Sequence, residues 1–232
     1  MVPGVKALIF DVFGTLVDWR QSIAREVQAT LMPLGLHTDA LAFAEAWRGE
    51  YQGAMEEVRS GALPFSPLDR LHRRNLEIVL RRMGLDGPLL DEAARAHLNR
   101  AWHRLDAWAD VGPGLQALRA HFRLAPCSNG NISLMVDLAR HNGWHWDAVL
   151  GAEVAGDYKP KPRVYLRACE ALDLDPSEVM MVAAHCDDLA AAASCGLRTG
   201  FVARPQEFRN GAGETHPTIP VDHDFGFTLQ AP

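Results

Sequence analysis

An aspartate near the N-terminus, Asp11, has the surroundings of a nucleophile. It lies in an apolar run, residues 5–13, and Gly14 follows in a turn whose backbone N–H groups could hold a carboxylate in its ionised form. A rigid, ionised carboxylate can attack an electrophilic atom and form a covalent intermediate. An aspartate that only caps the turn would give the same short pattern, so this motif alone leaves both interpretations open.

Three further clusters of polar residues each follow an apolar run later in the chain. The clusters are Ser128 with Asn129, then Lys159 between prolines with Tyr165 beyond it, then His185 with Asp187 and Asp188. Each cluster alone has an ordinary explanation as a helix cap, a surface loop or a charge in a first helical turn. Together with Asp11, they follow four successive apolar runs, which indicates instead that they belong to one site.

The second half of the chain alternates between apolar runs and helical patterns. We predict strands over residues 122–127, 148–152, 179–184 and 199–203, helices over 114–121, 131–142, 162–172 and 187–195, and an edge strand near 225–229. This alternation is typical of right-handed βαβ units. The predicted fold is therefore α/β, with a Rossmann-like parallel sheet and helices on both faces. Residues that follow the strands meet at one edge of such a sheet.

A long helical insertion separates the first predicted strand from the others. Between residues 19 and 105 the apolar spacing is helical, no strand pattern occurs, and four helices are predicted. We therefore predict a core made of residues 1–17 and 106–232 and an inserted helical cap domain of residues 18–105. Within the cap, His72, His97 and His103 are expected to face solvent or a partner helix. Gly112-Pro113-Gly114, after the cap, is expected to form a turn before a helix.

The composition is that of an ordinary globular protein. The chain has 232 residues, of which 48% are hydrophobic and 22% charged, with a net charge of −6 at pH 7. No basic cluster is present, which argues against nucleic acid or an anionic membrane as the main partner. Charged residues interrupt the N-terminal apolar run, and the four cysteines form no CxxC pair. We therefore expect a cytoplasmic protein.

Taken together, the motifs resemble those of the haloacid dehalogenase superfamily, and most closely its type II 2-haloacid dehalogenases. The insertion directly after the first motif resembles the cap of that family, and the resemblance covers nearly the whole chain. The motif residues are Asp11 and Thr15, Ser128, Lys159, Asp188 and, in the cap, the pair Trp47-Arg48.

Most members of this superfamily are magnesium-dependent phosphatases, and this chain departs from their pattern. The phosphatases carry a second aspartate two positions after the nucleophile and a Gly-Asp pair in the fourth motif. Phe13 and the pair Ala183-Ala184 occupy those positions here. A phosphoryl-transfer site would lack its general acid and a magnesium ligand. The resemblance therefore implies a metal-independent dehalogenase that needs no cofactor.

The fourth motif also departs from the dehalogenase pattern. Dehalogenases usually have Ser-Ser-Asn-x-x-Asp where this chain has Ala183 to Asp188, so His185 replaces the asparagine. A histidine can still form hydrogen bonds, and it titrates near neutral pH. This difference indicates a subgroup with an altered pocket.

The resemblance implies the hydrolysis of short 2-haloalkanoic acids to 2-hydroxy acids. Asp11 would displace the halide from the rear and form an ester, which water would hydrolyse with Asp188 as base and Lys159 stabilising charge. The remaining implied roles are as follows: Arg48 binds the substrate carboxylate, Ser128 and Asn129 contact carboxylate or halide, Phe13 and His185 line the pocket, and Thr15 and Tyr165 hold Asp11 and Lys159. A homodimer formed largely through the cap is also implied.

Two alternative functions remain at this point. One is a magnesium-dependent phosphatase of the same superfamily with an unusual metal site, in which Asp187 could supply the missing ligand. The other is a non-catalytic member that binds an organic anion in the cleft of the cap. The combination of Asp11, Lys159 and Asp188 argues against this second alternative, because a binding protein has little use for that charged set.

Overall fold

The computed structural model describes residues 3–229, and its centre is a six-stranded parallel sheet. The strands are β1 (Ala7–Phe10), β4 (Arg123–Ser128), β5 (Leu150–Gly151), β6 (Val179–Ala183), β7 (Arg198–Phe201) and β8 (His223–Asp224), and β2 (Val17–Asp18) pairs separately with β3 (Asp106–Ala107). The order in the sheet is β5-β4-β1-β6-β7-β8, with every pair parallel. Strand β1 is therefore central, and Asp11 follows it directly.

The insertion contains five α-helices rather than the predicted four, because the second predicted helix is divided at Glu50, whereas the helices after the insertion alternate with strands as predicted. Those of the insertion are α1 (Trp19–Leu31), α2 (Ala40–Gly49), α3 (Tyr51–Arg59), α4 (Leu68–Arg82) and α5 (Glu92–Asn99). Those that follow it are α6 (Val111–Arg119), α7 (Ile132–Asn142), α8 (Ala152–Ala155), α9 (Pro162–Leu172) and α10 (Cys186–Ser194). Short 3-10 helices cover Met32–Leu34, Arg100–Arg104, Pro176–Glu178 and Arg209–Gly211.

Both faces of the sheet are buried, because side chains of successive strand residues point to opposite faces. Along β1, Leu8 and Phe10 belong to one apolar cluster, which includes residues of α7 and of the inserted helices. Ala7 and Ile9 belong to a second cluster, which includes residues of α9 and α10. The predicted α/β fold with a parallel sheet and helices on both faces is therefore confirmed. The division into core and cap domains stays a prediction.

Two further predictions about local structure are wrong. Gly112-Pro113-Gly114 is not a turn before a helix but part of the first turn of α6, where backbone N–H groups have no intrahelical partner and a proline costs little. The edge strand lies at His223–Asp224 rather than near residues 225–229, because its register is set by pairing with Gly200 and Phe201 of β7. None of the helices in residues 3–229 combines the length and hydropathy of a membrane-spanning segment.

Candidate active site

A cleft of about 760 Å³ opens at the carboxyl ends of the strands, next to the inserted helices. Asp11, Lys159 and His185 line it from the sheet, and Arg48 and Tyr51 line it from α2 and α3. Asp188, at the start of α10, also lines the cleft. The parallel sheet thus brings together residues that lie far apart in the sequence, such as Asp11 and Asp188.

Asp11 is nearly buried, and three side chains hold its carboxylate. Thr15 Oγ1 donates a hydrogen bond to Oδ2 at 2.7 Å, Lys159 Nζ donates to Oδ1 at 2.8 Å, and His185 Nδ1 lies 3.2 Å from Oδ2. Burial acts to raise the pKa of Asp11, but the charges of Lys159 and His185 outweigh it and hold the pKa well below its usual range. Asp11 is therefore ionised at neutral pH.

The turn after Asp11 differs from the expectation. We expected backbone N–H groups of the turn to hold the carboxylate, but no backbone N–H of residues 3–229 donates to it. The Gly14 N–H donates to the Val17 carbonyl and the Leu16 N–H to the Val12 carbonyl, so they close the turn itself. The nucleophile candidate is positioned by side chains from three separate segments instead.

Lys159 lies between two carboxylates. Its Nζ is 2.8 Å from Asp11 Oδ1 and 2.5 Å from Asp188 Oδ2, and its side chain is only 7% exposed. Burial acts to lower the pKa of Lys159, but Asp11 and Asp188 raise it well above its usual value. Asn129 Oδ1 accepts a hydrogen bond from the Lys159 backbone N–H, and Arg59 donates to its carbonyl oxygen. The lysine is therefore a fixed positive charge in the floor of the cleft.

The pKa of Asp188 is shifted in the opposite direction from that of Asp11. Its Oδ2 accepts from Lys159, and its Oδ1 accepts from the Tyr165 hydroxyl at 2.5 Å. Burial and the negative charge of Asp11 raise the pKa of Asp188 in spite of the neighbouring lysine. A carboxylate with a raised pKa accepts protons more readily, which suits a general base. Tyr165, which we expected to hold Lys159, thus holds Asp188.

Arg48 is the cation on the opposite wall. Its guanidinium carbon lies 4.0 Å from the centre of the Tyr51 ring, with the rings of Phe13 and Trp19 at 5.8 and 5.5 Å. In the part of the chain that the structure describes, Arg48 has no carboxylate partner, and its buried Nη1 donates to no protein atom. The aromatic rings orient the guanidinium while leaving donors free for an anion in the cleft.

Of the predicted polar residues, Asn129 reaches the cleft and Ser128 does not line it. Ser128 is fully buried, and its hydroxyl oxygen accepts a hydrogen bond from the Gly130 N–H at 3.0 Å. Ser128 therefore shapes the loop after β4, while the neighbouring Asn129 lines the cleft.

Phe13 covers an aromatic cluster that lies behind the cleft. The cluster contains Trp47, Trp102 and His72, and the His72 ring stacks on Trp102 with 4.3 Å between ring centres. His72 does not face solvent, which was one of the two expected environments, because this residue lies on the buried face of α4. Burial lowers the pKa of His72 to about 3, against the pull of Asp69, so the ring packs as a neutral aromatic group.

His103 is also buried, while His97 is exposed as expected. The two ring nitrogens of His103 lie 2.9 Å from Asp69 of α4 and 2.8 Å from Asp137 of α7. His103 therefore links an inserted helix to a helix beside the sheet. Sequence periodicity could not reveal this, because both partners are distant along the chain.

Glu207 is the functional candidate that sequence reasoning missed. Its side chain is 2% exposed, its Oε2 lies 2.8 Å from His185 Nε2, and its Oε1 accepts from Trp19 Nε1 at 3.2 Å. A Cβ at Gly14 would lie 2.0 Å from Oε1, so the glycine of the first motif leaves room for this carboxylate. Glu207 belongs to a segment that we predicted as loop, and an acidic loop residue carries no signal of burial.

No group of three or more histidine, cysteine, aspartate or glutamate residues within the described range 3–229 is arranged to bind a metal ion. Among the described residues, the basic side chains in contact with the Asp11 carboxylate are Lys159 and His185.

Comparison with known proteins assigns the chain to a family. The family model of haloacid dehalogenase-like hydrolases matches residues 5–196. The crystal structure of a defluorinating L-2-haloacid dehalogenase superposes with a TM-score of 0.91 at 43% identity, covering 96% of this chain and 93% of that one. A second L-2-haloacid dehalogenase structure gives a TM-score of 0.88 at 44% identity, covering 95% and 94% of the two chains. An (S)-2-haloacid dehalogenase of Xanthobacter autotrophicus is 30% identical, covering 86% of this chain and 76% of its own. This chain therefore belongs to the haloacid dehalogenase-like hydrolase family.

Proposed function

We propose that this chain hydrolyses short (S)-2-haloalkanoic acids to 2-hydroxy acids through an ester on Asp11. One observation carries the proposal. The cleft that holds the ionised Asp11 also holds Arg48, whose guanidinium has no carboxylate partner among the described residues. A nucleophilic carboxylate and a free, planar cation in one cleft suit a small substrate that has a carboxylate and an adjacent electrophilic carbon.

The first step that we propose is displacement of the halide. Arg48 binds the substrate carboxylate, and Asp11 attacks carbon 2 from the side opposite the halogen. A carbon–oxygen bond forms, the carbon–halogen bond breaks with its electron pair on the halide, and carbon 2 is inverted. A halide leaves without a proton, so the apolar Phe13 is compatible with this step. Asn129 lies where it can contact the carboxylate or the halide.

The second step that we propose is hydrolysis of the ester. Water attacks the carbonyl carbon of Asp11, and Asp188 accepts its proton, for which the raised pKa of Asp188 is favourable. Lys159 stabilises the negative charge that develops on the Asp11 carboxyl group. Thr15 and Tyr165 hold Asp11 and Asp188 in place.

The test is halide release from chloroacetate and from each enantiomer of 2-chloropropionate, with analysis of the product. We expect release from chloroacetate and (S)-2-chloropropionate, and (R)-lactate from the latter. A fluoroacetate arm, included because one structural relative is a defluorinating enzyme, measures how strong a carbon–halogen bond the site cleaves. Binding of haloacids without turnover of any of them would favour the non-catalytic alternative.

Arg48→Lys is expected to reduce kcat/KM for haloacids strongly. Lysine keeps the charge but loses the planar pair of donors, and loss of a buried charged contact costs about 2 to 5 kcal/mol. The effect should be measured by halide release over a range of substrate concentrations. Arg74→Lys is the matched control, because Arg74 pairs with Glu57 outside the cleft. Equal kinetics for the two variants would mean that another group binds the carboxylate.

The residues present do not fit the magnesium site of the phosphatase alternative. Phe13 occupies the position of the second aspartate of the phosphatases, and Ala184 occupies the position of the aspartate in their fourth motif. The Lys159 ammonium lies between Asp11 and Asp188. Halide release should therefore survive treatment with EDTA and dialysis. A large loss that Mg²⁺ restores, together with hydrolysis of a general phosphate ester, would support the phosphatase alternative instead.

We also propose that the chain has a core domain of residues 1–17 and 106–232 and a cap domain of residues 18–105. We propose further that two copies form a homodimer through the cap and that the protein is located in the cytoplasm. The four cysteines are all free thiols in the structure, which supports a reducing compartment. Light scattering of the purified protein tests the homodimer, and a monomer at all concentrations would contradict it.

A further inference from the structure

His185 forms a chain of contacts that links the nucleophile to a second buried carboxylate. Its Nδ1 lies 3.2 Å from Asp11 Oδ2, and its Nε2 lies 2.8 Å from Glu207 Oε2. Both ring nitrogens face carboxylate oxygens, and an ionised carboxylate can only accept hydrogen bonds. A neutral imidazole has one N–H and could satisfy one of these contacts, whereas an imidazolium satisfies both.

The charge of Glu207 requires a partner. This carboxylate is almost completely buried, and its other hydrogen bond comes from the neutral indole of Trp19. Burial of an unpaired carboxylate is strongly unfavourable. Burial acts to lower the pKa of His185, but Glu207 and Asp11 outweigh it and raise the pKa to about 10. His185 and Glu207 are therefore an ion pair at neutral pH.

We propose that the His185 imidazolium, paired with Glu207, is a catalytic residue that stabilises the oxyanion formed when water attacks the Asp11 ester. This inference rests on the proposed function and adds to it a residue pair that is distinct from the Lys159 and Asp188 pair.

The contacts of Asp11 indicate which of its oxygens forms the ester. Oδ2 already accepts hydrogen bonds from Thr15 and His185, whereas Oδ1 accepts one from Lys159. Each carboxylate oxygen has two lone pairs, so Oδ1 retains one for attack on the substrate. Oδ2 then stays the carbonyl oxygen of the ester, and the negative charge of hydrolysis develops on it, next to His185.

The proposed step balances without a further reactant. The water oxygen bonds to the Asp11 carbonyl carbon, the carbonyl electron pair moves to Oδ2, and one water proton moves to Asp188. The carbonyl then reforms, and the bond between that carbon and the ester oxygen Oδ1 breaks. The departing alkoxide, whose oxygen is the former Oδ1, takes the proton from Asp188, and the other water proton passes from the new Asp11 carboxyl group to the solvent. His185 keeps its proton throughout, so it acts as a charged donor and not as the base.

Turnover should depend on pH, because the proposed role of His185 requires its positive charge. The imidazolium is present below about pH 10, so turnover should fall as the pH rises through that value. Lys159 stays charged there, because its pKa lies well above its usual value. The charged or titratable groups that line the cleft or contact His185 are Asp11, Tyr51, Lys159, Asp187, Asp188, Glu207, Glu214, Glu45, Arg48 and Arg59.

Glu207→Gln tests the ion pair through the fall in turnover at high pH, which is the alkaline limb of the pH–rate profile. Glutamine keeps the shape and can still accept from Nε2, but it removes the charge that keeps His185 protonated. The alkaline limb of halide release should move down by about 1 to 3 pH units. Glu214→Gln is the matched control, because Glu214 lines the same cleft but accepts a hydrogen bond from the Cys186 backbone N–H. The alkaline limb of this variant should stay where it is in the wild-type protein. An unchanged limb in Glu207→Gln would overturn the inference.

His185→Asn separates the two chemical steps. Asparagine keeps a neutral donor, so we expect ester formation to persist and ester hydrolysis to slow about tenfold or more. Mixing with chloroacetate should give a burst of one halide per active site, and the mass of the intact protein should increase by the carboxymethyl group bound to Asp11. His141→Asn is the control, since His141 pairs with Asp106 outside the cleft. Wild-type turnover, or a slowed burst with no trapped ester, would overturn the inference.

A measurement on the unmodified protein keeps the test independent of how these variants fold. Nitrogen-15 NMR of histidine-labelled protein should show one imidazole, assigned as His185 by its loss in His185→Asn, that stays protonated up to about pH 10. Titration of that ring near its ordinary value of about 6.5 would overturn the inference. Since this readout needs no turnover, failure of the proposed function would instead appear as absent halide release from the wild-type protein.

Discussion

Asp11→Asn is expected to abolish halide release while the protein stays folded. The amide is nearly the same size as the carboxylate but is a poor nucleophile, and loss of a covalent nucleophile lowers kcat by a factor on the order of 10⁴ or more. The measurement is halide release from chloroacetate at high enzyme concentration, with circular dichroism to check the fold. In the variant the amide oxygen can accept from Lys159 Nζ, and the Thr15 hydroxyl, which can accept as well as donate, can accept from the amide N–H, so the site should keep its shape.

Asp173→Asn is the matched control for this variant. Asp173 is exposed at the end of α9 and adopts a left-handed conformation with φ of 53°, which asparagine tolerates well. The control should retain full activity. Substantial turnover by Asp11→Asn, with mass spectrometry showing that the amide is intact, would contradict the assignment of the nucleophile.

Lys159→Met is expected to have the second largest effect. The variant leaves Asp11 and Asp188 close together without the cation that lies between them, so one of them should become protonated. Removing one partner of a buried ion pair costs about 3 to 5 kcal/mol, and loss of its charge also affects both proposed steps. We therefore expect kcat/KM to fall by a factor of roughly 10³.

Lys161→Met is the control for Lys159→Met, because Lys161 is exposed two residues further along the same segment. Both variants and the wild-type protein should be assayed with and without EDTA. A loss in Lys159→Met that is smaller than the loss caused by EDTA in the wild-type protein would contradict the role of Lys159 as the compensating charge.

Much of the fold and part of the candidate site could be predicted from the sequence, because both depend on regular patterns. A buried parallel strand reads as a short apolar run, and parallel strands place the residues that follow them at one edge of the sheet. This rule was enough to expect Asp11, Lys159 and Asp188 in one place. The resemblance to the first motif of the family likewise implied that Thr15 holds Asp11, and the Thr15 hydroxyl donates a hydrogen bond to that carboxylate.

The remaining contacts depend on which segments meet, and no local pattern records that. Glu207 reaches His185 from a loop after β7, and its burial depends on space left by Gly14 at the other end of the chain. His72 has the helical spacing of a buried position, but a histidine at such a position can equally pair with a distant carboxylate, as His103 does. Sequence spacing alone could not decide between these environments.

The change from asparagine to histidine in the fourth motif also gains a physical context from Glu207. From the sequence, His185 was a departure from the usual dehalogenase motif that left the details of the pocket uncertain. In the structure, the histidine is accompanied by a buried carboxylate that balances its charge. The substitution therefore adds an ion pair beside the nucleophile rather than only exchanging one donor for another.

The most direct test of the central claim, an ester on Asp11 that water attacks at the carbonyl carbon, is a single turnover in water enriched in oxygen-18. Enzyme in excess over (S)-2-chloropropionate should give lactate whose new hydroxyl carries ordinary oxygen from Asp11. The heavy isotope should appear in the peptide that contains Asp11, by mass spectrometry. Heavy oxygen in the hydroxyl of the lactate from this first turnover, with an unlabelled Asp11 peptide, would show direct attack of water on carbon 2 and contradict the account.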